Sequence, residues 1–496
     1  MLTLTPILSD ALPTPLYQQL FLYIRDAILS NDIKPGDKLP SLRSLARSLN
    51  LSLTTVQLAY EQLLVEGYVD SRPQSGYYVN QILADTRQEA LSPLMPQRPE
   101  DLTGASDGTE SKIPLYSDPA CFDFGKWKKC TNKVLNEHWE HLLQEGDPRG
   151  EAPLRREIAN YIYQSRGVRC RWEQVVIGAG TQQLVSLLCI ILQRMGIDHV
   201  SFEEPGYIPV RGIFRDRGFQ STGVPVDKDG IKIERLPTNI RSSVYVSPSN
   251  QFPTGSIMPA ARRYALLDWA GANSSVIIED DYNSELRYSA RPVPSLQGLD
   301  TREIVVYLGS FSSTLFPSIK ISYMVLPTPM HHLFESVLGG YTQTCSKTEQ
   351  LTLALFMESG MYQTHLKKLR KLYAQKIQAA TSAIQRDARD LLTIRNNSSG
   401  LHMLLELSQL SPEQSTEEIC KAAAGKGLTM APVSHYLEVG GASLVIFYYT
   451  KIPISQMEEA VEALADILIQ TREGGMQHGL HGDDPQEAEH TKIQKR

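Results

Sequence analysis

The amino-acid sequence predicts an α/β fold in two parts: a small helical N-terminal domain with a strand pair, and a large domain of alternating strands and helices. Residues 1–80 are dense in amphipathic helical periodicity, and from residue 113 to residue 470 apolar strand-like runs alternate with helical patterns. Residues 81–112 are rich in Pro, Ser, Gly and acidic side chains, which predicts a flexible linker. The polar residues 471–496 predict a disordered tail.

Length and composition set limits on the function. A chain of 496 residues exceeds what one hydrophobic core organises, so at least two domains are expected. With 42% hydrophobic and 21% charged residues, the composition is that of an ordinary globular protein. The net charge of -6 gives no overall attraction to nucleic acid, so any contact with DNA must come from a local surface.

Three features predict a cytoplasmic location. No apolar run reaches the ~20 residues that a membrane helix needs. The N-terminus has no basic segment followed by an apolar stretch, so a secretion signal is not expected. The six cysteines are scattered without CxxC spacing, which is typical of reduced thiols and not of a disulfide or zinc framework.

The first 80 residues predict three helices followed by two short strands. An apolar residue at every fourth position from Leu16 to Ile28 indicates the first helix. Ser41 is placed to cap a second helix, and a third helix follows residues 50–52 and ends at Gly67. Strand patterns at 68–72 and 77–80 complete the plan of a winged helix-turn-helix, in which the third helix enters the major groove of DNA.

This domain resembles the GntR family of regulators. The matching stretches are PLYQQL (15–20), IKPGDKLPSLRSLA (33–46), TTVQLAYEQLLVEGYV (54–69) and SRPQSGYYV (71–79). The resemblance implies promoter DNA as a partner. It implies that Arg43, Thr54, Thr55 and Gln57 face DNA and that Arg72 and Gly76 place the wing on the DNA backbone. Leu53 stands where the family has Arg, which removes a cationic contact. A solvated helix face is the alternative interpretation of these polar residues.

Charge in this domain favours binding as a dimer. Positions 1–80 contain six Lys and Arg residues and seven acidic residues, so the domain carries no excess of positive charge. One copy is therefore expected to bind DNA weakly. Two copies on two half-sites would compensate.

Four segments of the large domain carry candidate chemistry. A Gly-rich turn at Gly178–Gln183 follows a strand and opens a helix, where backbone N–H groups favour a phosphate. Turns at 203–207 and 246–255 come next along the chain. The last two segments, 276–282 and 307–320, each begin with an apolar strand that ends in a cluster of polar residues. Open α/β sheets bind ligands at such strand ends.

The order of these segments resembles fold-type I pyridoxal 5'-phosphate (PLP) aminotransferases, and more closely the MocR-type subfamily of GntR regulators. Further matching stretches are GDPRGEAPLRREIANYI (146–162), IIEDDYNSELRYSARPVPSLQGLD (277–300) and GLH (400–402). The resemblance covers residues 115–470 and implies a fold-type I aminotransferase-like domain that forms a homodimer, with each winged helix packed on the partner subunit.

The same resemblance implies a set of cofactor-binding residues. Asp280 would pair with the pyridine nitrogen of PLP, Tyr282 would bind its 3'-oxygen and Tyr207 would stack on the ring. Asn250 or Gln251 would approach the 3'-oxygen. The phosphate would lie on Gly180, Thr181, Ser310, Ser312 and Lys320. As alternatives, Asp280 caps a loop and Tyr207 belongs to the core.

Ser313 is the decisive departure from the aminotransferase pattern. Gly309-Ser-Phe-Ser-Ser-Thr-Leu replaces a motif whose fifth residue is the lysine that forms the Schiff base with PLP, and positions 309–319 contain no lysine. Transamination needs that amine both to hold the aldehyde and to move a proton, and serine does neither. Lys320 also replaces an arginine, which loses the bidentate contact to phosphate.

These observations leave three functions open. The first is a transcriptional regulator that senses a small molecule, with PLP or a PLP–amino acid adduct bound non-covalently, or another amino compound in the same cleft. The second is a PLP-dependent aminotransferase with an appended DNA-binding domain. The third is a scaffold in which neither site functions.

Overall fold

The computed structural model describes residues 4, 6, 8–9, 14–73, 75–81, 118–286, 294–397, 400–408, 416–436 and 443–479. The chain divides into two compact units, Met1–Glu110 and Ser111–Arg496. The predicted linker lies outside the described residues except for Gln81, and so do residues 287–293 of the 277–300 motif. No helix in the described ranges has the length and apolar character to cross a membrane.

The first unit is a winged helix-turn-helix, as predicted. Its elements are α1 (Leu16–Leu29), α2 (Leu42–Leu49), α3 (Leu53–Val65), β1 (Val69–Arg72) and β2 (Gly76–Val79). The two strands are antiparallel, with Val69 opposite Val79. Ser41 Oγ accepts a hydrogen bond from the Ser44 backbone N–H at 3.3 Å, which confirms the predicted cap of α2.

The core of this unit explains why the helices form where they do. One face of α1 and one face of α3 are buried against each other, each with apolar residues at the three- and four-residue spacing of a helix. The buried side chains of these faces are Leu20, Ile24, Ile28, Val56, Ala59, Tyr60 and Leu63.

The second unit is built on a large sheet and a small sheet. Its helices are α4 (Phe124–Glu137), α5 (Trp139–Leu142), α6 (Ala152–Arg166), α7 (Thr181–Arg194), α8 (Ile208–Asp216), α9 (Ala260–Ala272), α10 (Leu296–Leu299), α11 (Thr328–Val337), α12 (Lys347–Glu358), α13 (Met361–Asp387), α14 (Thr416–Gly425) and α15 (Met457–Gly479). Its strands are β3 (Val175–Gly178), β4 (His199–Glu204), β5 (Gln220–Asp227), β6 (Gly230–Ile231), β7 (Ser243–Val246), β8 (Val276–Asp281), β9 (Val305–Ser310), β10 (Ser322–Val325), β11 (Leu392–Asn396), β12 (Met403–Leu407), β13 (Met430–Pro432) and β14 (Leu444–Phe447).

The large sheet has the order β3-β10-β9-β8-β7-β4-β5-β6. The strands from β9 through β8, β7 and β4 to β5 are parallel, whereas β10 is antiparallel to both of its neighbours. The two faces of the sheet pack on different helices, because alternate residues of a strand point to opposite sides. Val176 and Met324 pack with α7 residues, while Ile177 and Tyr323 pack with residues of α6 and α12.

The small sheet has the order β11-β12-β14-β13, with antiparallel pairs throughout, and its core is shared with α13, α14 and α15. Helix α15 continues to Gly479, so residues 471–479 of the predicted disordered tail are helical. An α-helix extends by adding one hydrogen bond per residue once a packed segment has formed, and it needs no apolar residues to do so. Residues 480–496 lie outside the described residues.

Candidate functional site

A cavity of about 280 Å³ lies at the ends of the parallel strands, where the strand-end motifs predict a ligand site. Its walls come from the start of α7, from the residues after β4 and β7, from the ends of β8 and β9, and from the region of the small sheet. The lining residues are Thr181, Tyr207, Ser247, Phe252, Asp280, Tyr282, Ser310, Ser312, Ser313, Tyr436 and Tyr448. Six of the nine predicted cofactor-binding residues are among them.

Asp280 places a buried carboxyl group at this cavity. The residue is 6% exposed, and the Tyr245 hydroxyl donates a hydrogen bond to its Oδ2 atom at 2.5 Å. Burial raises the pKa of Asp280 to about 7, with a further rise from the nearby Asp281 carboxylate, while the Tyr245 hydrogen bond lowers it. Asp280 therefore lies inside strand β8 and faces the cavity, and it does not cap a loop.

Asp281, the next residue of β8, is held in an ion pair. Arg166 Nε lies 2.7 Å from Asp281 Oδ2, and the Tyr307 hydroxyl donates to the same oxygen at 2.5 Å. Successive residues of a strand point to opposite faces of the sheet. The alternation therefore gives the two carboxylates different roles: Asp281 is neutralised by Arg166, while Asp280 is left for the cavity.

Hydroxyl groups and the start of α7 form the polar end of the cavity. Gly180 precedes α7 with φ +92°, a conformation that glycine adopts readily, and Thr181 is the first residue of the helix. The Ser322 hydroxyl donates to Ser310 Oγ at 3.0 Å, and the Ser312 backbone N–H donates to the same atom at 3.3 Å. Backbone N–H groups at a helix start together with hydroxyl donors can bind an anion such as phosphate.

Lys320 does not lie at the polar end of the cavity. Its side chain is exposed, its φ is +49°, and it is not among the cavity-lining residues. The sequence motif places a cation at the phosphate, whereas in the structure the polar end of the cavity consists of hydroxyl and backbone groups.

Asn250 and Ser313 both contact Tyr282. Asn250 Nδ2 donates to the Tyr282 hydroxyl at 3.2 Å, whereas Gln251 Nε2 donates to the backbone carbonyl of Pro205 at 2.7 Å. Of the two predicted alternatives, Asn250 is the one next to Tyr282. The Ser313 hydroxyl donates to the Tyr282 backbone carbonyl at 2.6 Å, and its side chain lines the same cavity as Asp280 and Tyr282.

An aromatic cluster that the sequence motifs do not reveal forms one side of the cavity. Phe252 is the centre of this cluster, with ring centroids 6.1 Å from Tyr207, 6.3 Å from Tyr282 and 4.9 Å from Tyr436. Tyr207 is 39% exposed and lines the cavity, so it is not a core residue. Phe252 lies within the predicted 246–255 turn, but no motif indicated Tyr436.

The buried carboxyl groups predict how stability depends on pH. Burial raises the pKa of Asp280 and Glu279 to about 7 and that of Glu203 to about 8. In the folded protein these groups keep their protons up to about pH 7–8, whereas in the unfolded chain they lose them above about pH 4. Their contribution to the free energy of unfolding is therefore complete below about pH 4 and is lost as the pH rises to about 7–8. We expect the thermal midpoint of ligand-free protein to fall between about pH 5 and pH 8, and to fall less steeply in Asp280→Asn. Equal slopes in the two proteins would contradict the protonation of Asp280.

Four of the six predicted DNA-facing residues are exposed on the surface of the first unit, and the other two, Thr55 and Gly76, are half-buried. Arg43, Thr54, Gln57 and Arg72 are exposed. Thr55 is half-buried, and its hydroxyl lies 2.7 Å from Ser52 Oγ, which also accepts from the Thr55 backbone N–H.

The wing, which is the hairpin of β1 and β2, is organised by side-chain contacts and a glycine turn. The Arg72 guanidinium lies 4.3 Å from the centroid of the Tyr78 ring, and Gly76 has φ +115° at the turn between the strands. The nearby Lys38 and Arg72 charges and a hydrogen bond to Ser75 lower the pKa of Tyr78, with the hydrogen bond as the largest cause. Of the predicted DNA-facing residues, the two cations Arg43 and Arg72 therefore lie on α2 and on the wing.

Comparisons with known proteins agree with both units. Residues 16–79 match the model of bacterial regulatory proteins of the gntR family, and residues 120–464 match the model of aminotransferase class I and II. The chain is 40% identical to the uncharacterized HTH-type transcriptional regulator YdeL of Bacillus subtilis, over 87% of this chain and 92% of YdeL.

Two further relatives have more specific names. The probable rhizopine catabolism regulatory protein MocR of Rhizobium meliloti is 30% identical over 95% of this chain and 97% of its own. The HTH-type pyridoxine biosynthesis transcriptional regulator PdxR of Corynebacterium glutamicum is 31% identical over 89% of this chain and 92% of its own. The structure of Pyrococcus horikoshii kynurenine aminotransferase is similar with a TM-score of 0.63 at 22% identity, over 73% of this chain and 92% of that chain, which shows the fold.

Proposed function

Because the chain belongs to the GntR family of HTH-type transcriptional regulators and carries a class I and II aminotransferase domain, we propose that its cavity binds a B6 ligand without a covalent bond and that this ligand controls DNA binding. The ligand is PLP or a PLP–amino acid adduct. The functional unit is a cytoplasmic homodimer that places two winged helices on two operator half-sites.

The buried carboxyl group of Asp280 is the observation that carries this proposal. Its donor partner is the neutral Tyr245 hydroxyl, so its other side is available to the cavity. A protonated pyridine nitrogen supplies both a hydrogen-bond donor and a positive charge at that point. The relative PdxR is named for pyridoxine biosynthesis, which supports a ligand of this class.

The other cavity residues fit the remaining groups of PLP. Tyr282 and Asn250 would bind the 3'-oxygen, and the ring of Tyr207 would cover one face of the pyridine. Thr181, Ser310 and Ser312, together with the backbone after Gly180, would bind the phosphate. When bound, PLP supplies an aldehyde that condenses with amines, which is the chemistry an amino-compound sensor requires.

Ser313 determines that binding is reversible. None of the described residues that line the cavity is a lysine, so no amine of the cavity wall can hold the aldehyde. The aminotransferase alternative needs such an amine for attachment and for proton transfer.

The spectroscopic test uses purified full-length protein and PLP. We expect a saturable absorbance change on titration that is lost on dialysis, and no phosphopyridoxyl label on peptide 309–322 after borohydride reduction. A borohydride-stable label on Lys320, which lies within that peptide, would support the enzyme alternative. Absence of any saturable change would refute a B6 ligand.

A second prediction concerns DNA. We expect Arg43→Ala to weaken binding to an operator selected from a random duplex library by roughly 5- to 30-fold at fixed salt, because loss of an arginine contact to DNA costs about 1–2 kcal/mol. Arg25→Ala is the matched control, because Arg25 lies on α1 and is paired with Asp26 at 2.7 Å. Equal losses in the two variants, measured by gel shift, would show a general charge effect and contradict a specific role for Arg43.

A further inference from the structure

Helix α3 presents an unusual surface for a helix that enters the major groove. Its sequence, LTTVQLAYEQLLV, contains no lysine or arginine and one acidic residue, Glu61. Arginine or lysine paired with guanine is the commonest specific contact between a protein and a base, and α3 cannot supply it. Sequence recognition by this helix therefore depends on polar uncharged and apolar side chains.

Two leucines are exposed in the first two turns of α3. Leu53 is 45% exposed and Leu58 is 43% exposed, and the polar residues Thr54 and Gln57 are exposed in the same turns. The opposite side of the helix is buried in the core of the winged helix. The leucines are therefore part of the outward surface and are not core residues.

Leu53 is fixed at the end of α3. It is the first helical residue, and the cap formed by Ser52 holds the backbone there through a 3.0 Å hydrogen bond from the Thr55 N–H. In helix-turn-helix proteins the N-terminal residues of the recognition helix contact the base edges. Gln57 is a weaker candidate for base recognition, because its amide already donates to Glu61 Oε1 at 2.8 Å.

We propose that Leu53 is a specificity-determining residue that packs against the C5-methyl group of a thymine in each operator half-site. The inference rests on the placement of α3 in the major groove that the GntR family implies. The thymine methyl is the apolar group of the four base edges in that groove, so it is the partner that matches an exposed leucine. The same leucine disfavours cytosine and guanine there, because their polar edges would lose water without gaining a hydrogen bond.

The test removes the methyl group and leaves base pairing unchanged. An operator is selected with the full-length protein, and each thymine of a half-site is replaced in turn by deoxyuridine. We expect one position per half-site at which deoxyuridine weakens binding by about three- to fivefold, the loss expected for one buried methyl group. At that position Leu53→Ala should bind the two operators equally, whereas Leu53→Met, which keeps an apolar side chain, should keep a preference for thymine.

Val65→Ala is the matched control. Val65 is apolar and 87% exposed on the same helix, but it lies about 18 Å farther along the axis, so it should leave the deoxyuridine effect unchanged. A deoxyuridine effect that persists in Leu53→Ala, or that disappears in Leu58→Ala instead, would overturn the assignment to Leu53. If neither Leu53→Ala nor Thr54→Ala changes operator affinity, the placement of α3 in the groove is itself wrong. All proteins are compared at the same PLP concentration, so a failure of the cavity proposal would not by itself change the difference between the two operators.

Discussion

Ser313→Lys is expected to convert reversible binding of PLP into covalent binding. The side chain at position 313 lies at the cavity wall, and the Ser313 hydroxyl is 2.6 Å from the Tyr282 backbone carbonyl. An amine introduced there reaches the same space as Asp280 and Tyr282, which already orient the ring in the proposed complex. Orientation is the demanding part of such a site, so the amine is the main group that has to be added.

The expected change is from no covalent label to a label on most of the protein. PLP should give a visible absorbance band that survives dialysis, and borohydride should place a phosphopyridoxyl group on peptide 309–322. Ser318→Lys is the matched control, because Ser318 is exposed within the same peptide, and a lysine there should remain unlabelled. Absence of a stable band in folded Ser313→Lys protein would exclude B6 as the ligand and leave a regulator with a different effector.

The features of the fold that were predicted correctly are those that the local sequence determines. The regular spacing of apolar residues between Leu16 and Ile28 predicts the buried face of α1. The capping side chain of Ser41 predicts where α2 begins. The apolar run 276–278 predicts a buried strand that ends in a polar cluster at one edge of the sheet, and the family resemblance singles out Asp280 within that cluster.

The features that were missed depend on contacts between residues far apart in the chain. Arg166 pairs with Asp281 across 115 positions, and the sequence contains no local signal that separates the role of Asp281 from that of Asp280. Tyr245 faces Asp280 only because β7 lies beside β8 in the sheet. Lys320 has a positive φ and an exposed side chain, and its position in the motif indicates neither feature.

The residues that the region of the small sheet contributes to the cavity could not be predicted from the sequence either. Tyr436 and Tyr448 reach the cavity from residues that follow β13 and β14. Aromatic residues near a strand end are common in cores, so the sequence pattern does not distinguish a cavity wall from ordinary packing. The aromatic side of the site became evident only from the position of Phe252 between Tyr207 and Tyr436.

Asp280→Asn is expected to cause the largest loss of affinity for PLP among single substitutions in the cavity. The substitution keeps the shape of the side chain and its place beside Tyr245, but it removes the charge that would pair with a protonated ring nitrogen. Removing one partner of a buried, hydrogen-bonded charge pair costs about 2–4 kcal/mol, which corresponds to a roughly 30- to 1,000-fold rise in Kd.

Tyr282→Phe supplies the comparison within the same cavity. It removes one neutral hydroxyl that accepts from Asn250, so the expected loss is about 1 kcal/mol, or roughly fivefold in Kd. Both variants are titrated with PLP by absorbance, and their thermal midpoints are measured without ligand to show that the fold is intact. A Kd for Asp280→Asn within about twofold of the unaltered protein would mean that the ring nitrogen does not meet this carboxylate. A larger loss in Tyr282→Phe than in Asp280→Asn would mean that the ligand is recognised through the hydroxyl side of the cavity and that its charged group lies elsewhere.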